Sequence, residues 1–177
     1  MARASRVVAD GDVTLFASND FSTLSLAGGA AGGSSAGIGA AASSVVVRNI
    51  TRAALASGAS SADSVSIDTA GAVRITATAV EKGRMLNAAG AAAGTSGVGA
   101  GAASYVLNTV TEARLGNGAR IGHALLPSSL TVAATDDTEL YTVSGAAGAG
   151  GTTGIGAAAA VGVVTKQTMA TIGAAAR

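Results

Sequence analysis

The sequence predicts an all-β fold, a parallel β-helix (β-solenoid) of three tandem units of about 60 residues, and three observations carry that expectation. A small tripeptide around one β-branched residue recurs at near-constant spacing, the stretches around it alternate with a period of two, and bulky side chains are scarce. The chain of 177 residues has no Trp, two Phe, two Tyr and 26 Gly. Its apolar content is mainly Ala, Val, Ile and Leu, which favours thin, closely stacked layers over a thick core of interdigitating large residues.

The repeat is anchored by Gly37-Ile38-Gly39, Gly97-Val98-Gly99 and Gly154-Ile155-Gly156. Val98 follows Ile38 at an offset of 60, and Ile155 follows Val98 at an offset of 57. At those offsets Val13-Thr14-Leu15 meets Val73-Arg74-Ile75 and Leu130-Thr131-Val132. Units of about 1–60, 61–120 and 121–177 follow, forming one domain. The shortfall of three is assigned to the connector, 59–73 in the first junction and 119–130 in the second, where Pro127 sits.

The last stretch of each unit shows which face is buried. The columns Thr51/Thr111/Thr168, Ala53/Ala113/Ala170 and Leu55/Leu115/Ile172 keep size and polarity, so they are expected in the core together with Ile38, Val98 and Ile155. The interleaved columns vary in charge, and Arg48, Arg52, Glu112 and Arg114 form a candidate binding face toward solvent, for a host or surface ligand. The column Asn49/Thr109/Lys166 interrupts the alternation and is read as a bend or bulge.

A second strand opens each unit, at 13–17, 73–77 and 130–134. Between the two strands lie 27–42, 87–102 and 144–159, nearly all Gly, Ala and Ser, whose composition leaves strand, turn and helix open. The recurring Gly register favours order. A unit of this length exceeds one coil of a parallel β-helix at about 20 residues per coil, so each is expected to supply about three coils, with charged positions on the solvent face.

Other classes fit the same residues less well. The uncharged stretches 21–47, 85–111 and 140–165 exceed the roughly 20 residues that span a bilayer as helix, but their Gly, Ser and Thr content makes insertion weak, and no membrane insertion is expected. A formal charge of +1 leaves no footprint for nucleic acid. Residues 1–13 carry no apolar run of a secretory signal, and the chain is read as an internal piece of a longer protein.

With one His and no Cys, a zinc site is nearly excluded. His123 with Ser128 or Ser129 and Asp136 or Asp137 lacks a nucleophile elbow, and Asp10-Gly11-Asp12 and Asp136-Asp137 lie in no calcium loop, so they are read as turn-forming Asp. The 28–33 glycine string lacks the Lys of a phosphate loop, and Asn49-Ile50-Thr51 matches a glycosylation acceptor. The chain is therefore expected not to be an enzyme and to use no cofactor and no metal.

The segment Gly90 to Ile121 resembles the Gly/Ala-rich repeats of large bacterial filamentous adhesins and haemagglutinin-like surface proteins. Gly97 to Ala100, Asn108, Thr111, Ala113, Leu115, Gly116, Gly118 and Ala119 fit one part of that repeat, and Gly11-Asp12-Val13-Thr14-Leu15 fits the strand after it. The third unit departs from the pattern at Gln167, Met169 and Ala174. The resemblance implies an exported rod at the cell surface, a stalk, spacer or adhesive fibre, and carries over no binding residue. Unit ends with unpaired backbone groups and no polar cap imply head-to-tail association with neighbouring repeats or chains.

Overall fold

The computed structural model describes residues 5–55, 65–122 and 125–176. Nine strands run in the order β1 (Arg6–Ala9), β2 (Val13–Gly33), β3 (Ala36–Leu55), β4 (Ser66–Thr69), β5 (Ala72–Ala93), β6 (Ser96–Leu115), β7 (Arg120–Ile121), β8 (Ser129–Gly150) and β9 (Thr153–Ile172). They form three parallel three-stranded sheets, β1-β4-β7, β2-β5-β8 and β3-β6-β9. No helix occurs among the described residues, and so no helix is long and apolar enough to cross a membrane.

Each strand pairs with its counterpart one unit away, Val13 with Val73 and Val73 with Leu130, Ile38 with Val98 and Val98 with Ile155. One unit therefore contributes a single rung of three strands. This corrects the expectation of about three short coils per unit: the long strands run out and back, and the chain returns to its starting sheet only after a whole unit.

The net difference of three between units has two sources. The connector from Leu55 to Ser66 is longer than its counterpart from Leu115 to Arg120, so the second junction loses length there. The second junction regains half of that loss between Ile121 and Leu130, which is longer than the matching step from Ile67 to Val73. The shortened connector turns at Gly118, whose φ of 69° suits a residue without Cβ.

Two long sheets face each other, and the interior between them changes character along the strands. Beside the short sheet sits an apolar cluster of Ala53, Ile75, Ala77, Ala113, Leu115 and Ala119. Farther along, Val47, Met85, Ala103, Tyr105 and Leu107 make a second, with Phe21, Val45 and Leu140 against it. Beyond that the strands carry Gly and Ala and the sheets approach backbone to backbone. The low-complexity segments are thus strands that turn back at 34–35, 94–95 and 151–152. Gly and Ala have poor strand propensity, so order there rests on ladder hydrogen bonds and close sheet contact.

That close approach reverses part of the expected core. In the Gly-x-Gly tripeptides the glycines point inward, where a methyl on Gly39 would overlap the Gly90 carbonyl and one on Gly99 the Ala147 carbonyl. The central residue points out: Ile38 is 75% exposed and Ile155 51%, while Val98 is half-buried. The Thr, Ala and Leu/Ile columns face inward. Thr51, Thr111, Ala53, Ala113 and Leu115 are buried and Leu55 is half-buried. Thr168, Ala170 and Ile172 are exposed, because β9 is the outermost strand of its sheet and nothing covers it among the described residues.

Candidate functional site

The chemically richest place is a polar layer between the two apolar clusters. It is built from inward positions of β5, β6, β8 and β9. Thr109 Oγ1 lies 2.9 Å from Glu81 Oε1 and 3.4 Å from Asp136 Oδ2; Thr111 Oγ1 donates to Asp136 Oδ2 at 2.8 Å. Thr138 Oγ1 lies 3.0 Å from Glu81 Oε2 and 3.1 Å from Asp136 Oδ1. Lys166 Nζ closes the set, 2.5 Å from Asp136 Oδ1 and 3.3 Å from its carbonyl oxygen. Glu81 is 1% exposed and Thr111 fully buried.

Proton supply explains why a cation belongs there. Thr109 and Thr138 each touch oxygens of both carboxylates, and a hydroxyl has one proton to give. The Lys166 ammonium supplies further donors on the Asp136 side. Burial pushes the Asp136 carboxyl up, but hydrogen bonds from Lys166, Thr111 and Thr138 and the ammonium charge outweigh it, holding the group below the ordinary carboxylate value.

The layer is also where the alternation looked broken. Asn49, Thr109 and Lys166 occupy one inward column with no bend, since β3, β6 and β9 run unbroken through it. The expectation that charges keep to the solvent face fails for Glu81, Asp136 and Lys166. Strict alternation through Thr109, together with Thr retained at 51, 111 and 168, is the signal that could have revealed a polar interior. In the first unit the layer is incomplete: the Asn49 amide nitrogen and the Thr51 hydroxyl are buried without a partner. Asn49 is thus no accessible glycosylation acceptor.

A second buried polar group lies nearer the Gly/Ala end. Asn87, 1% exposed, accepts from Ser43 Oγ at 2.7 Å and donates to the Ala102 carbonyl. At the opposite end of the strands, Arg6 Nε meets Asp68 Oδ2 at 2.8 Å within the short sheet. The Asp10-Gly11-Asp12 corner is structural. Asp12 Oδ1 accepts the Ala72 N–H of the next rung at 2.8 Å, and Thr69 Oγ1 donates to the Gly11 carbonyl at 2.5 Å.

Arg48, Arg52, Glu112 and Arg114 come together on the outer face of the β3-β6-β9 sheet. Arg48 and Arg52 stay open to solvent, while Glu112 is drawn into an ion pair. Arg52 Nε lies 2.6 Å from Glu112 Oε2, and Glu112, flanked in its column by Arg52 and Met169, is 8% exposed. Arg48 is exposed and Arg114 half-exposed.

Asp136 and Asp137 stand inside β8, not in a turn. Ser129 opens the same strand, so it lies seven extended residues, about 23 Å, from Asp136. That distance rules out the serine–aspartate pair; His123 lies outside the described residues. The 28–33 glycines belong to extended β2. No group of three or more metal-ligating side chains occurs among the described residues. No family model, curated protein or solved structure matches the chain.

Proposed function

We propose that this chain is a β-solenoid segment of an extracellular bacterial fibre or adhesin, a structural stalk or spacer and not an enzyme. The observation that supports this reading most is the unbroken parallel register: in both long sheets every strand residue of the middle rung pairs with its counterpart on the third, at a constant offset of 57. Such stacking extends by adding rungs, and the same edge geometry favours head-to-tail association with neighbouring repeats or chains.

The polar layer fits a structural role. Its carboxylates lie between the sheets and are engaged by threonines and one lysine. The recess at the Gly/Ala end, lined by Ala30, Ala31, Ala91 and Ala147 among others, offers methyl groups and backbone only. Ligand capture by the outer charged face is the weaker reading, because its one carboxylate, Glu112, is already paired with Arg52.

Electron microscopy, far-UV circular dichroism and limited proteolysis of the purified chain test the proposal together. It predicts elongated, β-rich, protease-resistant particles. Spectra dominated by helix, or rapid cleavage within the Gly/Ala segments, would overturn it.

A further inference from the structure

The two outer edges of the long sheets match each other residue for residue. Strands β8 and β9 lack a neighbour on one side among the described residues, as do β2 and β3 on the other. Continuing the internal register past β9 would set Gly154 on Gly37, Ile155 on Ile38, Gly156 on Gly39, Thr168 on Thr51, Ala170 on Ala53 and Ile172 on Leu55. On the facing sheet it would set Thr135 on Ser18, Asp136 on Asn19 and Gly150 on Gly33.

We infer that the occupant of this edge is a second copy of the chain, stacked head to tail in the continuing register, with Lys166 and Asp136 on the next copy's Asn49 and Asn19. This rests on the solenoid reading above and specifies its junction. The Lys166 side chain is 32% exposed because its column ends there, and its ammonium, a donor only, calls for the Asn49 side-chain carbonyl across the junction, not for the buried Asn49 amide nitrogen. Stacking brings the incomplete first-rung layer against the charged third-rung layer. Within the chain, Thr111 reaches across one rung to Asp136. The equivalent reach from Thr168 meets Asn19 of the next copy.

The junction also carries a brake. At no paired position among the described residues do two like charges stand side by side, and Arg52 beside Glu112 and Lys82 beside Glu139 are opposite pairs. Continuing the register places Asp137 on Asp20 and Arg120 on Arg6, two like-charge columns. Asp20 and Asp137 are exposed, so their repulsion is modest and screened by salt, and it slows stacking without outweighing the backbone pairing along two long edges.

The chain has no cysteine, which permits a direct test. Ser18→Cys and Thr135→Cys are prepared as separate variants, and as a mixture they are oxidised mildly. Adjacent in-register strands place Cα atoms about 5 Å apart, within disulfide reach. The mixture is expected to give mixed covalent dimers well above the yield of either variant alone. Asp20→Asn should raise that yield about two- to five-fold at low salt, and added salt should erase the difference.

Dimers no more abundant in the mixture than in the single variants, or none at any concentration, would overturn the inference. The Ser18→Cys/Thr78→Cys double variant separates the two failures, since these positions pair within one chain. If that intramolecular disulfide closes while mixed dimers fail, the solenoid reading stands and the junction is wrong. If it does not close, both fall.

Discussion

The Tyr105 ring occupies the space that Gly83 leaves by having no side chain. A Cβ on Gly83 would stand 2.7 Å from Tyr105 Cζ, 2.9 Å from its hydroxyl oxygen and 2.8 Å from Leu140 Cδ1. One rung on, the sizes are exchanged between sheets: Leu140 sits in the Gly83 column, and a Cβ on Gly162, in the Tyr105 column, would lie 3.0 Å from Leu140 Cδ2. Large and small residues thus alternate across the interior between the second and third rungs, and each large side chain fills the space its glycine neighbour leaves.

Gly83→Ala is therefore expected to destabilise the chain by about 1–3 kcal/mol, as overpacking does in a closed core. Tyr105→Leu in the same chain should recover most of that loss. Urea unfolding of the two single variants and the double one measures the coupling, and strict additivity would show that the two residues do not share the space.

Exposed Ile38 and inward Gly39 give opposite expectations for neighbouring residues. Ile38→Ser should change stability by no more than about 0.5 kcal/mol in the monomer. Gly39→Ala drives a methyl into the Gly90 carbonyl and should cost more than about 2 kcal/mol or prevent folding. Thermal melts of both variants decide which residue of the tripeptide faces the other sheet.

The Asp136 carboxyl sits below its ordinary value when folded, so the stability it contributes is present above the unfolded value, near pH 4, and is lost as pH falls through the folded one. Melting temperature should fall as pH drops below about 4, and Asp136→Asn should flatten part of that fall. Lys166→Met at pH 7 leaves a carboxylate whose side chain is 1% exposed without its cation. The expected cost is about 1–3 kcal/mol, less than for a fully enclosed pair because Lys166 remains partly in water.

Burial raises the Tyr105 phenol above its ordinary value, so its contribution is full below pH 10 and declines as pH rises beyond it. A melting curve taken from about pH 8 to about pH 11 should show this decline in the parent chain and a smaller one in Tyr105→Phe.

The repeat and its β character were legible because register and alternation are properties of sequence alone. Thr51, Thr111, Ala53 and Ala113 face inward as a period of two requires. What could not be read was the distance between sheets. Where they nearly touch, glycine lines the interior and Ile38 is turned out, so apolar character stopped reporting burial. The polar layer was missed for a related reason: the polar column Asn49/Thr109/Lys166 reads as a break in the alternation when its partners are unseen, and Asp136, the partner of Lys166, lies well back along the chain in the other sheet. Rung length was hidden as well, because composition does not say whether a Gly/Ala stretch continues a strand or ends it.

The solenoid stands or falls on one rung per unit, with the third rung offset from the second by 57 in both long sheets. Paired cysteines measure that offset. Thr78→Cys with Thr135→Cys places two thiols in adjacent register and should form an intramolecular disulfide nearly quantitatively. Thr78→Cys with Asp137→Cys, two positions out of register, puts Cα atoms about 8 Å apart and should stay reduced. Closure of the second pair in preference to the first, or of neither, would contradict the one-rung register.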